Sequence, residues 1–243
     1  MSDSIVTSRQ DVTTTAMTMT TATATTSRQQ STTSSSSNNN NHDDEVYRAM
    51  ACYVRCFLGK AHPMVGREGP VCPFVPTALR YDTIRIAIIR HDMCSTRDEI
   101  AHLVTRMISI FQTMPPLTEQ KTPYKAIILT FPDVTLDQAS SLIDDVQREL
   151  KVMFVSQGLM LGEFHLQNQA HGLRNEHFYP LRTPYPSLAI RNMVPSDLVF
   201  LNPSNCSVSD RTSMLTSYIN KFAADSQQEK FVTTAKETLS NIS

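Results

Sequence analysis

The segment TIRIAII, from Thr83 to Ile89, is rich in β-branched and apolar residues. A run of this kind without alternation is typical of a β-strand that is buried on both faces of its sheet. A second such segment, KAIILTF, extends from Lys125 to Phe131. Because a segment long enough for a helix separates the two, we expect a strand, a crossover helix and a second strand.

The rest of the folded part alternates between helix and strand. Thr96 with Glu99, and Thr135 with Gln138, have the spacing of a capping box, and apolar residues at helical spacing follow each pair. The further predicted elements are a helix over Val46–Phe57 that ends at Gly59, strands Leu159–His165 and Ser187–Arg191, a helix carrying Met214, Tyr218, Ile219 and Phe222, and a helical piece after Glu229. This order predicts an α/β or α+β fold with a mixed sheet of about four strands and helices mainly on one side.

Residues 1–45 differ from the rest of the chain in composition. They contain no Phe, Tyr or Trp and include the runs TTTAMTMTTATATT and STTSSSSNNNN. Such a segment cannot bury enough apolar surface to offset its ordering entropy, so we expect a disordered tail followed by a single domain over 46–243. A transit peptide is the alternative, but Asp43, Asp44 and Glu45 at the end of the segment argue against it.

Composition excludes several classes of protein. The 243 residues include 22 basic and 23 acidic side chains, for a net charge of −1, which gives no footprint for nucleic acid or for an anionic membrane. No apolar run reaches the ~18–20 residues of a membrane span, and no secretory signal is visible. Five cysteines without a CxxC pair form no disulfide framework. We therefore expect a cytoplasmic protein, and the absence of GxGxxG, GxxxxGK[ST], GxSxG and HExxH leaves nucleotide-binding, serine-hydrolase and zincin functions without support.

The segment GLMLGEFHLQNQAHGLRNEH, residues 158–177, carries the strongest candidate site. Strand periodicity places Glu163 and His165 on the same side at the end of a strand. An imidazole beside a carboxylate can ligate a metal or haem iron, or act as a general base. His171 and His177 follow as further candidate ligands, although their spacing matches no zinc pattern. The alternative is that Glu163 and His165 only hydrogen-bond each other or the backbone.

Cysteines supply two further candidates. Cys72 lies in GREGPVCPFVPTAL, residues 66–79, with Arg67 five residues before it. Its thiolate could act as a nucleophile or ligand if its pKa were lowered, and otherwise the residue is a small buried hydrophobe. Cys52 and Cys56 are one helical turn apart, and core packing is favoured over a metal pair because Tyr53 and Phe57 surround them.

Two arginines bracket the segment RTPYPSLAIR. If the strand face that carries Arg191 adjoins Glu163 and His165, then Arg182 or Arg191 could hold a substrate carboxylate through two hydrogen bonds. An ion pair with Glu163 is the alternative. We include Arg67 with these two residues as a candidate substrate-binding side chain.

Three long motifs resemble those of a microbial family described as a domain of unknown function, whose members often occur with natural-product genes. They are HPxxGRxGPVCPFVPxAL, GLMLGEFH and LRNxxFxPLRxPxPxLAIRxMVxSDLxFL, and the likeness covers about residues 60–202. The Cys72-Pro73-Phe74 turn and the Gly162-Glu163-Phe164 strand are also similar to YqcI/YcgG-type proteins. Some of these are haem-dependent enzymes that hydroxylate a guanidine or amine nitrogen of amino acids.

These observations leave three hypotheses. The resemblance implies an accessory enzyme of secondary-metabolite biosynthesis, a haem-dependent monooxygenase acting on an amino-acid-like substrate, and we extend it to His165 as haem ligand from the chemistry of imidazole. The second hypothesis is a non-haem metal enzyme with His165, Glu163 and His171 or His177 as ligands. The third is a non-catalytic protein that binds a small molecule or a partner through its Pro-rich loops and amphipathic terminal helix. A homo-oligomer or a pathway partner is compatible with all three.

Overall fold

The computed structural model of the protein describes residues 19–21 and 36–242, and a mixed β-sheet lies at its centre. Within these residues the strands are β1 (Met19–Thr21), β2 (Ile84–Ile88), β3 (Ala126–Thr130), β4 (Leu159–Phe164) and β5 (Ser187–Asn192). Their spatial order is β1-β2-β3-β5-β4. β2 and β3 are parallel, and β5 runs antiparallel to both of its neighbours. The predicted mixed sheet of about four strands is confirmed, and the short β1 extends its edge.

The predicted helices are present in the predicted order, and one short helix that was not predicted lies before the first central strand. The helices among the described residues are α1 (Ser36–Cys52), α2 (Val75–Arg80), α3 (Arg97–Thr113), α4 (Leu136–Ala139), α5 (Asp145–Ser156), α6 (Val208–Phe222) and α7 (Glu229–Ser240). Both predicted capping boxes are present, at Thr96 and at Thr135. Wider π-helical turns continue α1 over Tyr53–Leu58 and join α4 to α5 over Ser140–Asp144. Across the described residues, no helix combines the length and the apolar character that a membrane crossing requires.

Helices cover both faces of the sheet. On one face, Phe111 of α3 and Phe154 of α5 are fully buried in the cluster that contains Ile127 and Leu129 of β3. On the other face, Met50 of α1 packs against the strands, and α2 belongs to a neighbouring cluster. α6 and α7 pack beside α5 and the edge strand β4. The helices on the second face add a layer to the arrangement predicted from the sequence.

Part of the predicted tail is structured. α1 begins at Ser36, well before the expected boundary at residue 45, and Asp44 pairs with Arg48 one turn further on, at 3.7 Å. Asp43 forms an ion pair with Arg90, at the end of β2. β1 also lies within the predicted tail and pairs with β2. Residues 1–18 and 22–35 lie outside the described residues, so their disorder stays a prediction.

The order of the strands decides where a site can form. β4 runs parallel to β2 and β3 because the antiparallel β5 separates it from β3. The carboxyl ends of β2, β3 and β4 therefore point to the same edge of the sheet. In open α/β sheets, ligands bind preferentially outside the carboxyl ends of the parallel strands. His165 is the first residue after β4 and lies at this edge.

Candidate functional site

An open cleft of about 440 Å³ lies where β4 ends. Its lining residues are Ser140, Asp144, His165, Leu166, Gln167, Gln169 and Arg182. Six of the seven lining residues are polar or charged, and they bring a carboxylate and a guanidinium into one concave surface. Small-molecule sites are concave and use a few placed polar groups to orient the ligand.

The strand places Glu163 on the predicted side, and His165 follows directly after the strand ends. Glu163 pairs in register with Leu188 of β5 and shares the face of Leu161, which packs towards α3 and α5. His165 is only 4% exposed, and its Nε2 lies 2.9 Å from Oδ1 of Asp144. The carboxylate partner of the imidazole is therefore Asp144, which the sequence analysis did not identify.

A π-helical turn positions Asp144. The backbone N–H of Asp145 donates to the carbonyl of Ser140, five residues earlier, so the turn between α4 and α5 is wider than an α-helical turn. Both Ser140 and Asp144 line the cleft from this turn. Single π-turns inside α-helices occur frequently at functional sites. No sequence signal marks this turn, because the apolar stripe of the helix continues across it.

The hydrogen bonds of His165 define its protonation. An ionised carboxylate only accepts, so Nε2 of His165 carries the proton that it donates to Asp144. Nδ1 of His165 is buried and has no hydrogen-bond partner among the described residues. An unsatisfied buried polar atom costs about 1–3 kcal/mol, and native proteins retain few of them. The imidazole is thus held in one tautomer at some cost in stability.

The loop after β4 fixes Arg182 in the cleft. Asn168 is buried, and its backbone carbonyl accepts a hydrogen bond from Nε of Arg182 at 3.1 Å. The Arg182 guanidinium also stacks on the ring of Tyr179, 3.9 Å from its centroid. Of the three guanidinium nitrogens of Arg182, only Nε has a hydrogen-bond partner among the described residues. The two terminal amino groups of Arg182 therefore remain available to a ligand.

Glu163 lies near the hydrogen-bonded pair of His165 and Asp144 but is not among the residues that line the cleft. Burial raises the pKa of its carboxyl, and the negative charge of Asp144 raises it further. A hydrogen bond from the backbone of Glu163 itself and the positive charge of Lys151 lower the same pKa, with smaller effect than burial. The Glu163 carboxyl therefore keeps its proton to a higher pH than an exposed glutamate does.

Arg191 lies on the opposite face of the sheet from Glu163. It pairs in register with Met160, and its guanidinium binds both carboxylate oxygens of Asp197, at 2.6 and 2.7 Å. Arg191 therefore does not share a strand face with Glu163 and does not join the cleft. The alternative prediction, an ion pair between Arg191 and Glu163, is also wrong, because Arg191 pairs with Asp197.

The structure places Cys72 and Arg67 away from the cleft as well. Cys72 is half-buried and packs against the apolar cluster that includes Tyr53, on the same face of the sheet as Phe164. Arg67 donates to the backbone carbonyls of Glu68 and Val71, which closes its own loop. Of the predicted site residues, His165 and Arg182 line the cleft together.

The histidines of the loop do not gather around a metal site. His171 is exposed and contacts the carbonyl of Gly172, and His177 is exposed beside Glu176. Within the part of the chain that the structure describes, no three or more His, Cys, Asp or Glu side chains are grouped to hold a metal ion. The proposed set of His165, Glu163 and a loop histidine is therefore not assembled.

His165 does not fit the role of haem ligand in this arrangement. Its Nε2 is engaged by Asp144, and its Nδ1 is buried rather than open to the cleft. An axial ligand needs one ring nitrogen that faces the iron, with the other nitrogen held by a carboxylate or carbonyl. We therefore derive no chemical step through haem.

Cys52 and Cys56 are both exposed, so the prediction that they pack in the core is wrong. The neighbouring Tyr53 and Val54 are the buried residues of this turn. The apolar stripe of this helical segment is visible in the sequence, and neither cysteine lies on it. The stripe consists of Val46, Met50, Tyr53, Val54 and Phe57.

The fold is that of a mixed α/β protein with an open cleft, lined mainly by polar residues, at the carboxyl edge of its parallel strands. The chain belongs to the family described as Domain of unknown function (DUF6875), whose model matches residues 47–233. Searches of curated proteins and of solved structures give no match.

Proposed function

We propose that the cleft binds a small zwitterion of the amino-acid type and that Asp144 accepts a hydrogen bond from its ammonium group. The observation that carries the proposal is the presence of Asp144 and Arg182 in the lining of one cleft of about 440 Å³. A ligand that bears an ammonium and a carboxylate complements both charges at once. A ligand with one charge would leave the other protein group unpaired.

Asp144 is suited to the ammonium group. Its side chain is 27% exposed, so the carboxylate can be reached from the cleft. His165 donates to Oδ1 and leaves the remaining lone pairs of the carboxylate free to accept from a ligand. Charge-assisted hydrogen bonds of this kind are shorter and about twice as strong as neutral ones.

Arg182 is suited to the carboxylate group. Its Nε bond to Asn168 and its stacking on Tyr179 fix the plane of the guanidinium. A guanidinium held in this way loses little side-chain entropy when it binds a carboxylate through two parallel hydrogen bonds. The neutral side chains of Ser140, Gln167 and Gln169 remain to recognise the rest of the ligand.

The chemistry open to such a ligand is general-base catalysis. When the amine nitrogen forms a new bond, Asp144 can take the proton that the nitrogen gives up. His165 is a positioning residue, because its hydrogen bond orients the carboxylate and does not reach the ligand. The resemblance to families with amino-acid substrates and natural-product genes supports an accessory enzyme of secondary-metabolite biosynthesis. A protein that binds the zwitterion without reacting is the alternative.

Calorimetric titration with a panel of L-amino acids, each with its decarboxylated amine and its deaminated acid, tests the proposal. We expect at least one amino acid to bind and both of its singly charged analogues to bind about tenfold more weakly, since a hydrogen bond to a charged group contributes about 1.5–3 kcal/mol and the cleft is open. Equal affinity for the amino acid and its analogues, or no binding anywhere in the panel, would overturn it.

Variants separate the two roles. Arg182→Gln is expected to weaken binding of the amino acid and of the deaminated acid, but not of the amine. Arg182→Lys keeps the charge and loses the planar fork, so it should recover part of the affinity. Mass spectrometry of the amino acid after incubation with the protein distinguishes turnover from simple binding. Binding without chemical change of the ligand would assign the cleft to a non-catalytic protein.

A further inference from the structure

Two thiols lie side by side on the surface where α1 ends. Cys52 is the last residue of α1 and Cys56 lies in the π-turn that follows, and both are exposed. They are four residues apart on a helical segment, so they project from the same side of it. The pair lies outside the cleft and has no part in the function proposed for it.

A small backbone shift would bring the two residues within disulfide range. Residues four apart on a regular helix have Cβ atoms about 5–6 Å apart. Disulfides in proteins span Cα separations of about 4.4–6.8 Å and Cβ separations of about 3.5–4.5 Å. The nearby Cys56 thiol raises the pKa of the Cys52 thiol, so the two side chains interact in the reduced protein.

The backbone changes from α-helical to π-helical geometry between the two cysteines. The backbone N–H of Gly59 donates to the carbonyl of Val54, five residues earlier, at 2.9 Å. Cys56 lies inside this π-helical turn, Tyr53–Leu58, so the regular α-helical ladder ends before it. An intrahelical disulfide distorts a regular α-helix, and here the ladder has already changed.

We propose that Cys52 and Cys56 form a redox-active dithiol that two-electron oxidation closes to an intrahelical disulfide. With oxidised glutathione as the oxidant, one protein thiolate attacks the glutathione disulfide and releases one glutathione thiolate. The second protein thiol loses its proton and attacks the mixed disulfide, which releases the second glutathione. The pair loses two electrons and two protons, and one glutathione disulfide becomes two thiols.

The other cysteines provide internal controls. Cys94 is buried, and burial raises the pKa of its thiol to about 11. Cys72 and Cys206 are half-buried in separate apolar clusters. Access favours the exposed pair over these three in thiol–disulfide exchange, and burial also lowers the thiolate fraction of Cys94.

Intact-mass measurement on the full-length protein after incubation with oxidised glutathione tests the proposal. We expect the wild-type mass to fall by two hydrogen atoms and to return on treatment with dithiothreitol. Cys52→Ser and Cys56→Ser are each expected to stop at the adduct with one glutathione, because the second attacking thiol is missing. Cys206→Ser, the matched control, should still lose two hydrogen atoms. Cys52→Ala and Cys56→Ala give the same comparison without a new hydroxyl group.

Two results would overturn the proposal. One is a wild-type protein that accumulates only glutathione adducts, which would show that the pair does not close. The other is a loss of two hydrogen atoms that persists in both single variants but disappears in Cys72→Ser, which would assign the disulfide to a different pair.

Discussion

Two carboxylates lie on opposite faces of the same sheet, and they differ in how completely their hydrogen bonds are made. Asp197 accepts two bonds from Arg191 and one from the backbone N–H of Val194, and its side chain is 3% exposed. Asp144 accepts one bond from His165 and is 27% exposed, and the other nitrogen of that imidazole is unsatisfied. Complete networks stabilise a fold, whereas incomplete and accessible ones are available to a ligand.

The largest expected effect is a loss of stability when the pair of Arg191 and Asp197 is broken. Arg191→Ala leaves the Asp197 carboxylate buried with one hydrogen-bond donor, the backbone N–H of Val194. Removing one partner of a buried ion pair costs about 3–5 kcal/mol, and we expect about 3 because the Arg191 side chain is one-third exposed. Urea unfolding of Arg191→Ala and wild type measures this difference.

Arg182→Ala is the matched control on the other face. Arg182 is exposed, so its loss should change the free energy of unfolding by less than about 0.5 kcal/mol. Equal destabilisation by the two arginine substitutions would remove the distinction between a structural pair and a ligand site.

A smaller effect is expected at the incomplete pair, and it should appear in binding rather than in stability. Asp144→Asn keeps the shape of the side chain and removes the charge, so the amino-acid ligand should bind about tenfold more weakly. The free energy of unfolding should change by less than about 1 kcal/mol, because the amide oxygen of asparagine can still accept the hydrogen bond from Nε2 of His165. Calorimetry and urea unfolding on the same preparation measure both quantities. A loss of stability comparable to that of Arg191→Ala would contradict the comparison.

The smallest effect depends on pH and concerns Glu163. Burial raises the pKa of its carboxyl above the usual 4.5. Between pH 4.5 and that raised pKa, the folded state therefore binds more protons than the unfolded state. The wild-type free energy of unfolding therefore falls as the pH rises through that window. Glu163→Gln does not titrate, so it should become more stable relative to wild type as the pH rises and lose this advantage below 4.5. Thermal unfolding of both proteins across the pH range checks the sign.

A stability difference between Glu163→Gln and wild type that is constant with pH would show that burial of this carboxyl carries no penalty. A difference that grows as the pH falls would reverse the predicted linkage.

Much of the fold was predictable because local rules fix it. The β-branched runs gave β2 and β3, and the capping boxes marked the starts of α3 and α4. Period-two alternation placed Glu163 on the correct side of β4. Each of these features depends on neighbours in the sequence, so composition and spacing contain the information.

The missed features depend on tertiary structure. Whether Arg191 shares a face with Glu163 depends on the register that opposes Arg191 to Met160, and no pattern within either strand encodes it. Asp144 reaches His165 only through a π-turn that the apolar stripe does not reveal. The start of α1 at Ser36 was missed because its first turns are polar, and its ion pairs with later residues appear only in the fold.

The most direct measurement combines one charge removed from the ligand with one charge removed from the protein. The affinities of wild type and Asp144→Asn are measured for the bound amino acid and for its deaminated acid. If Asp144 holds the ammonium group, losing that group weakens binding to wild type about tenfold and leaves binding to Asp144→Asn unchanged. An equal loss of affinity in both proteins would contradict the assignment of the cleft.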